Sequence, residues 1–369
     1  MKSCKFASKI GILSMQRVPN YGSFLQAFAL LHTIKRLRPN ADILFIDIKP
    51  GILLHGKLKH SMTRLKTLVK GNVFKLFQRC MFIARQRQSM FIEYQQKYLG
   101  ITVEHNWDVI FDTVVIGSDE VFSCLQKTAW GFSKNLLGEG LSTDNVITYA
   151  ASCGATTISG VEAISLSKKV EKAFENIKQF SVRDENTYQF VKRFAAKESS
   201  INVDPVFLYD FDAYIPVNEL PDCNFILIYS YIERFSEKNE IATIREFAKT
   251  NGLKTISVFG YQSWCDRNLI LEPFEMLAYF KQASYIVTDT FHGTIFSIKY
   301  NRPFVSFVRH NSNNNKLQYL LKIFGLQDRE VVNLDNFSEK LKQEIDYDCV
   351  NEIIGRQIQM SYDYLDKYL

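Results

Sequence analysis

The chain has 369 residues, 46% hydrophobic and 23% charged, a balance that excludes a disordered or fibrous protein and leaves room for two domains. Its longest apolar runs are four to six residues, far short of the ~20 that span a bilayer. The start, "MKSCKFASKIGILSMQRVPN", has too short an apolar core for a signal peptide, so a cytoplasmic protein is expected.

The formal net charge of +6 hides an asymmetry. Between Asp47 and Glu93 there is no acidic residue, yet ten basic ones occur: Lys49, Lys57, Lys59, Arg64, Lys66, Lys70, Lys75, Arg79, Arg85 and Arg87. The rest of the chain therefore carries −4. Seven cysteines lie at least 29 residues apart, with no Cys-x-x-Cys or Cys/His spacing. Neither a disulfide framework nor structural zinc is expected.

In chain order, β-rich runs predict strands at 8–14, 43–48, 112–117, 146–151, 178–183 and 201–204, then at 225–230, 254–259, 284–288 and 303–308. Helical periodicity falls between them, at 23–37, 161–178, 184–194, 236–250, 273–282 and 294–300. Apolar strands alternating with helices predict an α/β protein with parallel sheets flanked by helices. The stretch 209–222 has two prolines, several acids and no period, and reads as a linker. The expected architecture is two Rossmann-like domains facing across a cleft: 1–210, with a basic helical insertion at 52–92, and 222–348. A final helix, 349–369, is expected to pack back on the first domain.

Ligands of such sheets bind beyond the carboxyl ends of the strands. Five stretches put polar groups there. In "NYGSFLQAFAL" a loop carries Asn20, Tyr21 and Gly22, and a helix is expected from Ser23, whose pairing with Gln26 fits a capping box. Two readings fit: a well-capped helix, or Gly22 opening backbone amides to an anion or a sugar hydroxyl. In "VVIGSDEVF" Gly117, Ser118, Asp119 and Glu120 follow an apolar strand, so Asp119 and Glu120 sit at its carboxyl end, and Asp119 either caps a helix or handles an acceptor hydroxyl. In "SVRDENTYQFVK" Arg183 precedes an acidic first turn; it fits a bidentate contact with phosphate or carboxylate, or a surface pair with Asp184 or Glu185.

The fourth stretch, "YIVTDTFHGT", is the most concentrated. Asp289, Thr290, His292, Gly293 and Thr294 meet at one strand-to-helix turn. Gly293 would let a ligand reach the backbone, the helix dipole favours an anion, and imidazole donates to phosphate or shuttles a proton. In "FVRHNSNNNKL" Arg309 ends the next strand, where it is expected to lie near His292, and Lys316 follows an Asn-rich loop; His310 reads as part of that solvated loop. Two look-alikes are set aside. "GILLHGKL" at 51–58 lacks the Ser/Thr of a phosphate loop, and the Asp-x-Asp pairs at 210–212 and 346–348 lie away from strand ends.

Taken in order, "NYGSFLQAFAL", "VVIGSDEVF", "ITYAASCG", "SVRDENTYQFVK", "VDPVFL" and "VTDTFHGTIFSIKYNRPFVSF" resemble the polysaccharide pyruvyl transferase family, from about residue 8 to 308. The resemblance implies a fold like that of the GT-B glycosyltransferases. It also implies transfer of pyruvate from phosphoenolpyruvate to two hydroxyls of one sugar, giving a cyclic ketal and phosphate, with no cofactor beyond that donor and no obligatory metal. Arg183 falls on the family's donor-binding arginine. His292 falls on the histidine implied to contact donor phosphate and act in proton transfer. Some members carry Arg-Leu-His-Gly where this chain has Thr290-Phe291-His292-Gly293, and Arg309 or Lys316 are the expected substitutes for the missing cation.

On this reading His292 and Asp119 are catalytic. Arg183, Thr290, Gly293, Thr294 and Arg309 hold the donor, while Asn20, Tyr21, Gly22, Ser118, Asp289 and Lys316 hold the acceptor. The segment 52–92 mixes Lys and Arg with Leu, Phe, Met and Ile, which suits an anionic membrane surface carrying lipid-linked acceptors of capsule or lipopolysaccharide assembly; a solvated helical pair packed on the first domain fits too. Nucleic acid is not an expected partner. The rival functions are a GT-B glycosyltransferase using a sugar nucleotide and a catalytically silent scaffold.

Overall fold

Uninterrupted runs of Val, Ile and Phe tolerate water on neither face, so they fold as parallel strands covered by helices on both sides. The computed structural model describes residues 8–54, 72–102, 104–126, 128, 130–216, 223–309 and 314–369. They divide into two units: 8–54, 91–209 and 355–369 form the first, while 72–90 and the described residues of 210–354 form the second.

In the first unit the chain runs through β1 (Lys9–Leu13), α1 (Tyr21–Leu37), β2 (Asp42–Phe45), α2 (Asn72–Leu99, shared with the second unit) and β3 (Thr113–Asp119). It continues through β4 (Val146–Ala151), α3 (Ile158–Ala163), α4 (Ser167–Phe174), β5 (Ile177–Val182), α5 (Glu185–Ala195) and β6 (Ser199–Ile201). The six strands are parallel in the order β2-β1-β3-β4-β5-β6. Their core centres on aromatic rings: Phe122 and Phe180 each pack on Phe174, at centroid distances of 4.9 and 5.3 Å.

The second unit adds β7 (Phe225–Tyr229), α6 (Lys238–Thr250), β8 (Lys254–Ser257), β9 (Arg267–Asn268), α7 (Pro273–Gln282) and β10 (Tyr285–Thr288). After these come α8 (Phe291–Lys299), β11 (Phe304–Phe307), α9 (Asn314–Ile323), β12 (Glu330–Val331), α10 (Phe337–Lys342) and α11 (Tyr347–Tyr368). Its sheet is also parallel, ordered β12-β11-β10-β7-β8-β9.

Several elements differ from expectation for visible reasons. The helix expected at 161–178 is two helices, because Ser165 takes a left-handed conformation (φ 57°) between α3 and α4. Helix α1 starts at Tyr21, with Asn20 as its cap: the Asn20 side chain accepts from the Gly22 amide at 2.8 Å. Ser23 makes no capping box. The stretch expected as a linker is docked over its described part: the Tyr214 ring stacks on Phe274 at 5.0 Å and Lys281 pairs with Asp212 at 2.8 Å. Residues 217–222, residues 55–71 of the basic segment, and residues 310–313, which include His310 and the start of the Asn-rich loop, lie outside the described residues.

The last helix returns to the first unit from Gly355 onward. There Tyr364 donates to the Thr148 carbonyl of β4 at 2.9 Å and Leu365 is fully buried. Leu365→Ala is expected to cost about 2–5 kcal/mol, read as a lower urea midpoint. In the docked 210–216 region, burial drives the Lys299 ammonium down to about 8, although Asp210 and Asp212 pull it up. A lysine whose folded pKa lies below its unfolded ~10.4 leaves the native state holding fewer protons, so stability rises as pH climbs from about 8 toward ~10.4. Lys299→Met should remove that rise and raise stability at pH 7 by up to about 3 kcal/mol, measured as urea midpoints at neutral and alkaline pH.

Candidate active site

Apolar strands covered on both faces leave little room for polar chemistry except at their ends. In the first unit the carboxyl ends of β1, β3, β4 and β5 carry Ser14, Asp119, Ser152 and Arg183. Helix α1 is tied down here: Gln26 donates to Ser14 Oγ at 2.9 Å, and Ser14 donates to the Ser118 carbonyl at 3.1 Å. That fixes Ser23, whose hydroxyl donates to Asp119 Oδ2 at 2.6 Å. Asp119 has φ 73° and keeps 11% of its side chain accessible. Gly117 before it has φ 126°, and a Cβ there would lie 2.2 Å from the Tyr149 carbonyl oxygen.

Arg183 is enclosed, its side chain only 2% exposed. It pairs with Asp204 at 2.9 Å and with Asp119 at 3.5 Å. Burial works against its charge, but Asp119, Asp204, Glu120 and Asp184 outweigh that and hold the guanidinium protonated. Asp184 is itself occupied, accepting from Ser152 Oγ, the Thr187 amide and Thr187 Oγ1 at 2.7–2.8 Å. Four carboxylates around one arginine make this strand end electronegative. It suits hydroxyl groups and repels a phosphate. Cys153 beside it has its thiol pushed well up by burial and by Asp184, so it stays protonated and is no nucleophile.

The second unit has the opposite sign. Asp289 at the end of β10 is fully buried and receives Ser230 Oγ at 2.7 Å, Arg234 Nε at 2.9 Å and Arg309 Nε at 3.3 Å. Arg309 also reaches Glu240 at 2.5 Å, and its buried Nη2 has no hydrogen-bond partner among the described residues. Beyond Asp289 the chain enters α8, with Thr290 as cap: its hydroxyl accepts from the Gly293 amide at 3.0 Å. His292, partly exposed, stands in the first turn. The Phe291 ring lies edge-on to the imidazole at 5.6 Å and carries the Lys316 ammonium at 5.7 Å from its centroid. Three cations, two acids and a positive helix end favour an anion here.

Not every expected site residue reaches a place from which it touches a ligand. Arg183, expected to grip the donor, is buried and paired with carboxylates. Tyr21 is fully buried, its ring 5.1 Å from that of Phe91, and Gly22 gives its amide to Asn20. Ser118 is buried and donates to the Ala150 carbonyl at 3.2 Å. Asp289 binds its two arginines rather than an acceptor. Thr294 is buried between the Thr290 carbonyl and Ser306 Oγ. Gly293 does not open the backbone to a ligand: a Cβ there would come within 2.2 Å of Thr288 Oγ1 and 2.7 Å of Tyr229, so glycine lets α8 sit down on β7 and β10. Asp119, His292, Arg309, Lys316 and Asn20 stay at the strand-end edges of their own units. Sequence reasoning missed Arg234, Glu240, Asp204 and Ser230. Only Asp204 carried a signal, as the Asp before Pro205 that caps the short 205–207 turn.

Two parallel six-stranded sheets flanked by helices, each with its polar groups at the strand ends, define the class as GT-B-like, built from two Rossmann-like domains. Arabidopsis thaliana UGT89C1 complexed with quercetin aligns over 98% of this chain and 99% of its own, with TM-score 0.50 and 11% identity. Staphylococcus aureus MnaA with UDP aligns over 96% and 91%, with TM-score 0.49 and 12% identity. A Thermobaculum terrenum O-GlcNAc transferase mutant aligns over 98% of this chain but 66% of its own, with TM-score 0.41 and 11% identity. No curated protein matches the sequence. A sequence description of the polysaccharide pyruvyl transferases, by contrast, matches residues 20–311. The chain belongs to the polysaccharide pyruvyl transferase family, and is an enzyme of that type acting on a sugar or polysaccharide acceptor.

Asp204→Asn removes the nearer partner of a buried guanidinium. The expected cost is about 3–5 kcal/mol, read as a lower denaturation midpoint, and a loss under 1 kcal/mol would contradict the buried-pair account.

Proposed function

We propose that the enzyme moves pyruvate from phosphoenolpyruvate to two hydroxyls of a hexose in a polysaccharide or lipid-linked oligosaccharide precursor, forming a cyclic ketal and releasing phosphate. The observation that carries this reading is His292 in the first turn of α8, next to the Phe291 ring that carries Lys316 and three residues after the Asp289 that holds Arg309. Phosphoenolpyruvate bears a phosphate and a carboxylate, so its binder needs a positive helix end and cations. Lys316 and Arg309 take the place of the arginine that other family members carry two residues before the histidine.

The chemistry is balanced without redox. A proton adds to the methylene carbon, and a sugar hydroxyl bonds to the central carbon as it gives up its own proton. The carbon–oxygen bond to phosphate then breaks, and a second hydroxyl closes the ring with loss of its proton. One hydroxyl proton leaves on phosphate, and the other replaces the one consumed by the methyl group. His292 supplies the proton or holds the phosphate oxygen that leaves. Asp119, oriented by Ser23 and Arg183, receives the acceptor hydroxyl. Arg183 acts here by positioning Asp119. Basic segment 52–92 is assigned to an anionic membrane surface where lipid-linked acceptors reside, at the inner face of the membrane.

His292→Ala is expected to lower acceptor-dependent phosphate release from phosphoenolpyruvate by at least ~100-fold with the fold intact by circular dichroism; near-normal release would remove His292 from the mechanism. In a thermal-shift comparison phosphoenolpyruvate should stabilise the enzyme and UDP or GDP should not. The reverse would favour a sugar-nucleotide glycosyltransferase.

A further inference from the structure

Over residues 72–90, helix α2 belongs to the second unit and leaves several large apolar side chains exposed. The guanidinium of Arg87 lies 5.1 Å from the centroid of Phe259, and that of Arg79 lies 5.2 Å from the centroid of Tyr261. Arg87 is buried, whereas Arg79, Arg85 and the aromatics are exposed. Phe74 is 55% exposed, Phe77 40%, Met81 41% and Phe82 65%. At about 100° per residue, Phe74, Met81 and the exposed Arg85 fall on one line of the helix, with Phe77 and Phe82 to either side. A surface helix that leaves Phe74, Phe77, Met81 and Phe82 in water presents an outward stripe that calls for an apolar partner.

We propose that this stripe is a docking surface for an anionic lipid bilayer, with Phe74, Phe77, Met81 and Phe82 entering the headgroup–acyl boundary and Arg85 meeting lipid phosphates. Charge complementarity selects the occupant. No acid interrupts the sequence from Ile48 to Ile92, while ten basic residues do occur there, and each cation near an anionic leaflet adds to the attraction. The stripe is convex and one helix wide, which fits insertion between headgroups rather than a shaped protein groove. Among the described residues no helix is long and apolar enough to cross a membrane, so α2 lies on the surface. The proposal deepens the membrane assignment of segment 52–92 and is independent of the donor chemistry.

The test is cosedimentation of the full-length protein with phosphatidylcholine vesicles, with and without phosphatidylglycerol, in the absence of phosphoenolpyruvate. Binding should rise with phosphatidylglycerol and fall with added salt. Phe77→Ser/Phe82→Ser should lower binding to the anionic vesicles by at least ~10-fold with helical circular dichroism and melting temperature unchanged. Arg85→Glu should lose about fivefold or more of the phosphatidylglycerol increment. Absence of wild-type binding, or equal binding by the double serine variant, overturns the proposal. So does a wild-type dimer that the double variant splits, since the stripe would then join two copies of the chain. Because no donor is present, failure here leaves the reaction assignment standing, and loss of turnover in the His292 variant leaves this one standing.

Discussion

A charge removed from water must find its opposite within a few ångströms, and two buried ion sites set the character of everything around them. In the first unit one arginine, Arg183, is ringed by carboxylates. In the second, one carboxylate, Asp289, is held by two arginines. The sheets are alike, yet their strand ends carry opposite signs. Each ion site also holds neighbouring groups in place: Arg183 and Ser23 contact Asp119, and Asp289 anchors Arg234 and Arg309.

That division is what the proposed ketal transfer would demand of an enzyme. The donor is an anion throughout and calls for amides and cations. The acceptor is neutral and must lose protons, which calls for a carboxylate. Placing both functions at one strand end would let the carboxylates repel the donor and the cations quench the base. On the proposed reading, one sign in each unit would avoid the conflict.

Much of the fold was legible because strand runs such as 114–116 and 226–228 admit no other element once both faces are dry. The two-residue strands β9 and β12 were not, since such short segments have no period. The break at Ser165 was hidden because a left-handed serine leaves no compositional mark. For the site, the sequence placed the polar groups at strand ends but did not show which partners each residue has there. Arg183 resembled a ligand-binding arginine because its partners, Asp204 and Asp119, stand 21 and 64 positions away. Gly293 read as an opening for ligand, yet glycine is needed there because Tyr229 and Thr288 leave no room for a side chain. Arg234 gave no local signal, because its partner Asp289 arrives from another strand.

The most direct measurement is a crystal structure with phosphoenolpyruvate, or an unreactive analogue, soaked in. The account predicts its phosphate at the first turn of α8, within hydrogen-bonding distance of His292, with Lys316 or Arg309 beside it. Phosphate bound instead among the carboxylates around Arg183, or nowhere near α8, would contradict it.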